Sequence, residues 1–149
     1  MDIENEIQNT KFINNYQKAT INILYTYNWV NAQLKQELDK HKITNQQFNI
    51  LRILRGQYPN PCTVNILKER MLDKMSDASR IVDRLVQKEL VTRCTNKKDR
   101  RAVDILINDK GLGLLENIHL EPAITEILSK NISEQDCLML SNLLDKFRG

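Results

Sequence analysis

Between Met75 and Ile107, MSDASRIVDRLVQKELVTRCTNKKDRRAVDILI, the hydrophobic period changes from helical to alternating, and that change restricts the folds open to the chain. Ala78, Ile81, Val82 and Leu85 fall at i, i+3, i+4 and i+7, so a helix from about Met75 to Lys88 turns one apolar stripe toward a core. Beyond it the period is two. A first strand of about Leu90 to Thr95 precedes Val103, Ile105 and Ile107, which alternate with Ala102, Asp104 and Leu106. Between the strands, Asn96-Lys97-Lys98-Asp99-Arg100 is a polar turn with no apolar residue to anchor it, so it projects into solvent. The chain has 149 residues with only four Gly and three Pro, so long helices are expected elsewhere and the hairpin is the one compact β signal. The expected fold is mainly α with a small β-hairpin, in one domain of ordinary length.

At about 100° per residue, the face opposite the apolar stripe presents Ser76, Arg80, Asp83 and Gln87, with Ser79 and Arg84 at its flanks. Charge is concentrated in the same region. Residues 63–104 hold 11 Lys and Arg against 7 Asp and Glu, a balance of +4, which leaves 11 against 12 for the rest of the chain. From Val91 to Arg101 there are five cations and one anion, the electrostatic footprint of phosphate contact. A basic run is usually just a solvated loop. Here a helix able to lie in a major groove is followed by a ribbon able to push cations against the flanking backbone or into the minor groove, and that order favours double-stranded DNA.

The flanking regions read as helices. Phe12, Tyr16, Ala19, Ile23, Tyr27, Val30, Leu34 and Leu38 recur every three or four residues, which describes a helix of about seven turns. Leu114, Leu115, Ile118, Ile124, Ile127 and Leu128 mark a second long helix beginning after Asn108 as N-cap, with Pro122 kinking or interrupting it. Ser133-x-x-Asp136 opens a last helix with Leu138, Leu140, Leu143, Leu144 and Phe147 along its inner side. These helices hold more apolar surface than one small core needs. The inference is a twofold homodimer on an approximately palindromic site, with half-site centres about 34 Å apart.

Other chemistry is not indicated. His41 and His119 are far apart, and there is no HExxH, P-loop or Gly-rich phosphate turn, so neither catalysis nor a cofactor is expected. Gly111-x-Gly113 lacks a third Gly and a βαβ context. Cys62, Cys94 and Cys137 form no CxxC and have no His partner at ligand spacing, which argues against both a disulfide framework and a metal site. Cys94, beside Arg93, is read as a small strand residue rather than a redox sensor. No window approaches about 18 uninterrupted apolar residues. The opening Met1-Asp2-Ile3-Glu4-Asn5-Glu6 is acidic where a secretory signal would be basic, so a cytoplasmic protein is expected.

The run Lys98-Asp99-Arg100-Arg101-Ala102, followed by Ile105-Leu106-Ile107-Asn108-Asp109-Lys110-Gly111, resembles the wing and following helix start of the MarR (multiple antibiotic resistance regulator) family of winged helix-turn-helix proteins. Ser79-Arg80-Ile81-Val82-Asp83-Arg84-Leu85 is similar to that family's recognition helix, Leu90-Val91-Thr92-Arg93 to the start of its wing, and Ile43-Thr44-x-x-Gln47-Phe48-x-x-Leu51-x-x-Leu54 to the preceding helix. The resemblance implies a single domain over residues 1–149. A DNA-binding unit would occupy about 40–107, flanked by dimerisation helices over about 8–40 and 109–149. It further implies that Arg101 reaches into the minor groove, with Asp99 pairing with its guanidinium and Lys97, Lys98 and Arg100 beside it. Ser79, Arg80 and Arg84 would meet bases or phosphates in the major groove, while Lys74 and Ser76 hold the backbone.

The resemblance also implies transcriptional regulation, more often repression, and a cleft for a small aromatic effector in the region of Tyr16, Tyr25, Tyr27, Trp29 and His41, although aromatic residues at helical spacing more often belong to a core than to a pocket. One position departs from the family pattern: Glu89 stands where Gly is usual. Either it adopts a left-handed backbone or the turn has another shape. Two other readings stay open, a winged helix used as a protein-interaction module and a nonspecific DNA binder.

Overall fold

The computed structural model describes residues 2–96 and 103–149, so the expectations for Lys97, Lys98, Asp99, Arg100 and Arg101 lie outside the described residues. The elements run α1 (Ile3–Glu6), α2 (Asn15–Lys40), α3 (Asn45–Gln57), β1 (Cys62–Thr63), α4 (Val64–Arg70), α5 (Ala78–Gln87), β2 (Val91–Thr95), β3 (Val103–Ile107), α6 (Asp109–Glu116), α7 (Leu120–Ser129) and α8 (Glu134–Arg148). The expected class, mostly helical with a small β-ribbon, is what the structure has.

Local chemistry explains where the helices start. Asn14 accepts the Gln17 N–H at 3.0 Å, so α2 begins after it and Phe12 lies outside the helix it was expected to open. Thr44 and Gln47 form a reciprocal capping box at the start of α3, each accepting the other's backbone N–H at 3.2 Å. Asn108 accepts the Gly111 N–H at 2.9 Å and so caps α6 as expected. Ser133 accepts the Asp136 N–H at 3.1 Å and starts α8.

Two expectations need correction. The long helix after Asn108 is two helices, and the break at residues 117–119 precedes Pro122 rather than occurring at it. A proline ring clashes with the carbonyl four residues earlier, here that of Ile118, so a continuous helix is blocked at that point. Pro122 instead occupies the first turn of α7, where its missing N–H costs nothing. The second correction concerns the sheet, which has three strands in the order β1-β3-β2, all antiparallel. The two-residue β1 pairs Cys62 with Ile105 and Thr63 with Asp104. So short a strand has no alternation to read.

The core lies where α3, α4, α5 and the sheet converge, with Ile50, Leu51, Leu54, Leu67, Val82, Leu85 and Ile105 all buried. Leu38 and Ile43 join it from the end of α2 and the following turn. Cys62 is buried there as well, and burial pushes its thiol pKa up, as befits a packing residue. All three cysteines are free.

Glu89 has φ +59°, so it takes the left-handed alternative. Its N–H donates to the Val86 carbonyl at 2.8 Å and the Leu90 N–H to the Leu85 carbonyl at 3.0 Å, the paired bonds of a Schellman C-cap. The Glu89 carboxylate meets Lys110 at 2.8 Å, an exposed hydrogen-bonded pair that holds its pKa below the usual carboxylate range. Replacing Glu89 by Gly should raise stability by about 1 kcal/mol, since the left-handed penalty outweighs an exposed ion pair. The denaturation midpoint in urea would reveal this, and a lower midpoint would contradict it.

The ends of the chain are less covered than its middle. Tyr16, Leu24, Tyr27 and Trp29 of α2 are exposed, and α8 buries no residue at all. Leu138, Leu140, Leu143 and Phe147, expected on the inner side of α8, are exposed on this chain alone. Among the described residues no helix is long and apolar enough to cross a membrane, and no cluster of His, Cys, Asp and Glu could hold a metal ion.

Candidate nucleic-acid interface

The α4–α5 pair with its connecting turn is a helix-turn-helix, and the β2–β3 ribbon lies beside it. Ala78, Val82 and Leu85 are buried and seat α5 on the core. The exposed residues of α5 are then Ser79, Arg80, Asp83, Arg84 and Gln87, the face expected from the spacing. Arg80 and Arg84 have no ion-pair partner among the described residues, so their guanidinium groups are available for an external anion.

The start of α5 differs from expectation. Asp77 accepts the Arg80 N–H at 3.2 Å and is the N-cap, so Ser76 sits in the turn before the helix and not on it. That turn is organised by Asp73, whose carboxylate accepts the Ser76 hydroxyl at 2.6 Å and the Met75 N–H at 3.0 Å. These bonds hold the Asp73 pKa below its ordinary value. Asn49 of α3 accepts the Leu72 N–H at 3.0 Å and ties the turn to the core helices. Lys74 also has a partner, donating to the Glu69 carbonyl near the end of α4. Ser76 and Lys74 therefore present polar groups that are already positioned, on the rim of an open groove of about 490 Å³ also lined by Lys68, Met75 and Ser79. A second groove, of about 310 Å³, runs between the start of α3 and the Arg80–Arg84 face.

Sequence reasoning overlooked one cation. Arg93 on β2 pairs with Asp83 on α5 at 2.5 Å and donates to the Ser79 carbonyl at 3.5 Å. It links the ribbon to the helix and covers the one carboxylate in the middle of α5's exposed face, where bare negative charge would repel phosphate. Nothing local in the sequence marks this pair. The ribbon itself is in register, with Val91 opposite Ile107 and Thr95 opposite Val103, and Asn96 donates to Asp104 at 2.8 Å at the last described position before the turn.

The aromatic residues expected near an effector cleft lie along α2 or at its end. Tyr16 and Tyr27 are exposed, and Tyr25 donates its hydroxyl to Glu6 of α1. His41 is the C-cap of α2, 3.8 Å from Glu37. The two grooves described above border α5 and are not lined by these residues.

Comparison with known proteins agrees with this geometry. Residues 43–103, from the end of the α2–α3 turn into β3, match the model of the MarR family. The uncharacterized HTH-type transcriptional regulator YpoP of Bacillus subtilis is 31% identical over 120 residues, covering 79% of this chain and 80% of that protein. The HTH-type transcriptional regulator MhqR of the same organism is 28% identical over 131 residues, covering 87% and 88%. Among solved structures, a mutant MarR from E. coli complexed with operator DNA superposes with a TM-score of 0.76 at 27% identity, covering 99% of each chain. From sequence, fold and interface together, the chain belongs to the MarR family of transcriptional regulators.

Proposed function

We propose that this protein is a homodimeric, sequence-specific DNA-binding regulator, acting in the cytoplasm as a repressor on a palindromic operator, without catalysis or a cofactor. The observation that carries the reading is the exposed face of α5, where Arg80 and Arg84 have no ion-pair partner among the described residues and stand beside Ser79, held against the β2–β3 ribbon by the Arg93–Asp83 pair. A rigid helix and a ribbon presented together can occupy adjacent grooves. In this reading Ser79, Arg80 and Arg84 contact bases or phosphates, and Lys74 and Ser76 contact the backbone. In the same reading Lys97, Lys98, Arg100 and Arg101 supply further contacts to phosphates or the minor groove, with Asp99 as the partner of Arg101. Apart from Leu72 and Met75 in the turn before α5, the interface presents Arg, Lys, Ser and Gln where a protein-interaction module would need a broad apolar patch, which favours a polyanion.

The division of the chain into a DNA-binding unit over about 40–107 and dimerisation helices on either side is part of the same proposal. It is supported by the location of the buried core and by the uncovered apolar faces of α2 and α8. A small aromatic effector near α2 would act by favouring a dimer whose half-site spacing no longer fits DNA. Release of DNA on adding such a compound would identify it.

The test is fluorescence anisotropy with DNA from the promoter beside the protein's own gene, against a scrambled duplex, across several salt concentrations. Preference of about a thousandfold or more marks a specific regulator, and equal, salt-sensitive binding to both overturns the reading. Replacing Arg80 by Ala should flatten the preference among sequences. Replacing Arg101 by Ala should weaken binding to all sequences and lower the salt slope by about one unit. Normal operator binding by the Arg101→Ala variant would remove the wing from the mechanism.

A further inference from the structure

Two large apolar side chains stand in water at the turn leading into α5: Leu72 is 88% exposed and Met75 is 94% exposed. A single exposed apolar residue is ordinary. These two occupy a tightly built turn on the most cationic part of the molecule, and neither packs against the core. Asp73 fixes the backbone on both sides of Met75, its carboxylate accepting the Met75 N–H and its carbonyl the Ser76 N–H at 3.4 Å, and Asn49 accepts the Leu72 N–H. Met75, unlike Leu72, lines the groove that also holds Lys68, Lys74, Ser76 and Ser79.

We propose that Met75 is a specificity-determining residue that reads the 5-methyl group of a thymine in the major groove at the N-terminal end of α5. This rests on the DNA-binding function proposed above. The N-terminal end of a recognition helix is the end that meets base edges. Lys68 and Lys74 line the same groove as Met75, so phosphate contacts by these cations would bring the apolar tip toward a DNA groove. Thymine alone among the four bases presents an apolar group there, and apolar side chains are its usual partners. A thioether on three rotatable bonds adapts its shape to that contact. The anchored backbone limits the reach of the side chain to a base near the helix start, so the readout is positional.

The experiment uses the full-length protein and a duplex it selects from a random pool, with each thymine replaced in turn by deoxyuridine, which keeps the hydrogen-bonding edge and removes only the methyl. For the unmodified protein, one thymine per half-site should lose about fourfold in affinity on this replacement, the worth of one buried methyl. Met75→Ala should bind the thymine and deoxyuridine duplexes equally, and Leu72→Ala should retain the discrimination. The assignment is overturned if no thymine shows the effect, if Met75→Ala keeps it, or if Leu72→Ala abolishes it. Failure to select any duplex would instead count against sequence-specific binding itself, and circular dichroism of both variants separates lost readout from lost fold.

Discussion

Replacing Leu143 by Lys should convert the proposed dimer to a monomer and weaken operator binding by about a hundredfold or more, the loss expected when two linked half-site contacts become independent. Leu143 is 55% exposed on the single chain, so the protomer loses little packing of its own. It sits in a helix of 15 residues that buries none of them, a length at which an isolated helix is marginal in water. Such a helix needs a cover. Leu138, Leu140 and Phe147 share its exposure, and α2 adds Tyr16, Leu24 and Tyr27. Lysine is the stringent choice because it adds positive charge, which by itself would strengthen attraction to DNA. Light scattering reports the mass and anisotropy the affinity. A variant that remained dimeric and bound its operator normally would remove α8 from the interface.

The second large effect concerns two glycines of α6. Gly111→Ala should cost about 3 kcal/mol, whereas Gly113→Ala should add about 1 kcal/mol, although the two sites are two positions apart on the same helix. A Cβ at Gly111 would stand 2.3 Å from the Leu90 carbonyl oxygen and 2.7 Å from Ile107 Cγ1. The first of these is backbone and cannot move aside without shifting the base of the ribbon. A Cβ at Gly113 meets nothing within 4 Å, so only the helix propensity of alanine is left to act. Urea denaturation of both variants tests the pair. Equal effects would mean that α6 does not press on the ribbon at Gly111. Because the contact lies where β2 and β3 leave the core, Gly111→Ala should also weaken DNA binding in the fraction that remains folded.

Much of this architecture was legible from local pattern. The stripe of Ala78, Ile81, Val82 and Leu85 indicated which side of α5 is buried, and so which side carries Arg80 and Arg84. Asn108 and Ser133 announced the helices they cap through their side-chain chemistry. In each case the determining interaction spans three or four residues, within reach of a periodicity or a cap.

The misreadings have a common cause. Pro122 does interrupt the helix, but the break falls just before it, at residues 117–119, and the proline occupies the first turn of α7. Ser76 has the right character for a recognition-helix residue, but Asp77 wins the N-cap and leaves it in the turn. Both errors are choices between neighbouring solutions that local propensity hardly separates.

The sequence by itself determined the helix-then-ribbon order, the buried face of α5, the local concentration of positive charge and the excess of apolar surface at the two ends. These follow from periodicity and composition, which act on neighbouring residues. Tertiary structure alone decided that Cys62 adds a third strand against Ile105, that Arg93 covers Asp83, that Glu89 bends left-handed beneath Lys110, and that Gly111 must lack a side chain beside Leu90. Most of these join residues ten or more positions apart, and even the left-handed bend closes only where the chain leaves α5 for the ribbon. Their cost or gain exists only once the core has brought the partners together, and no local pattern records it.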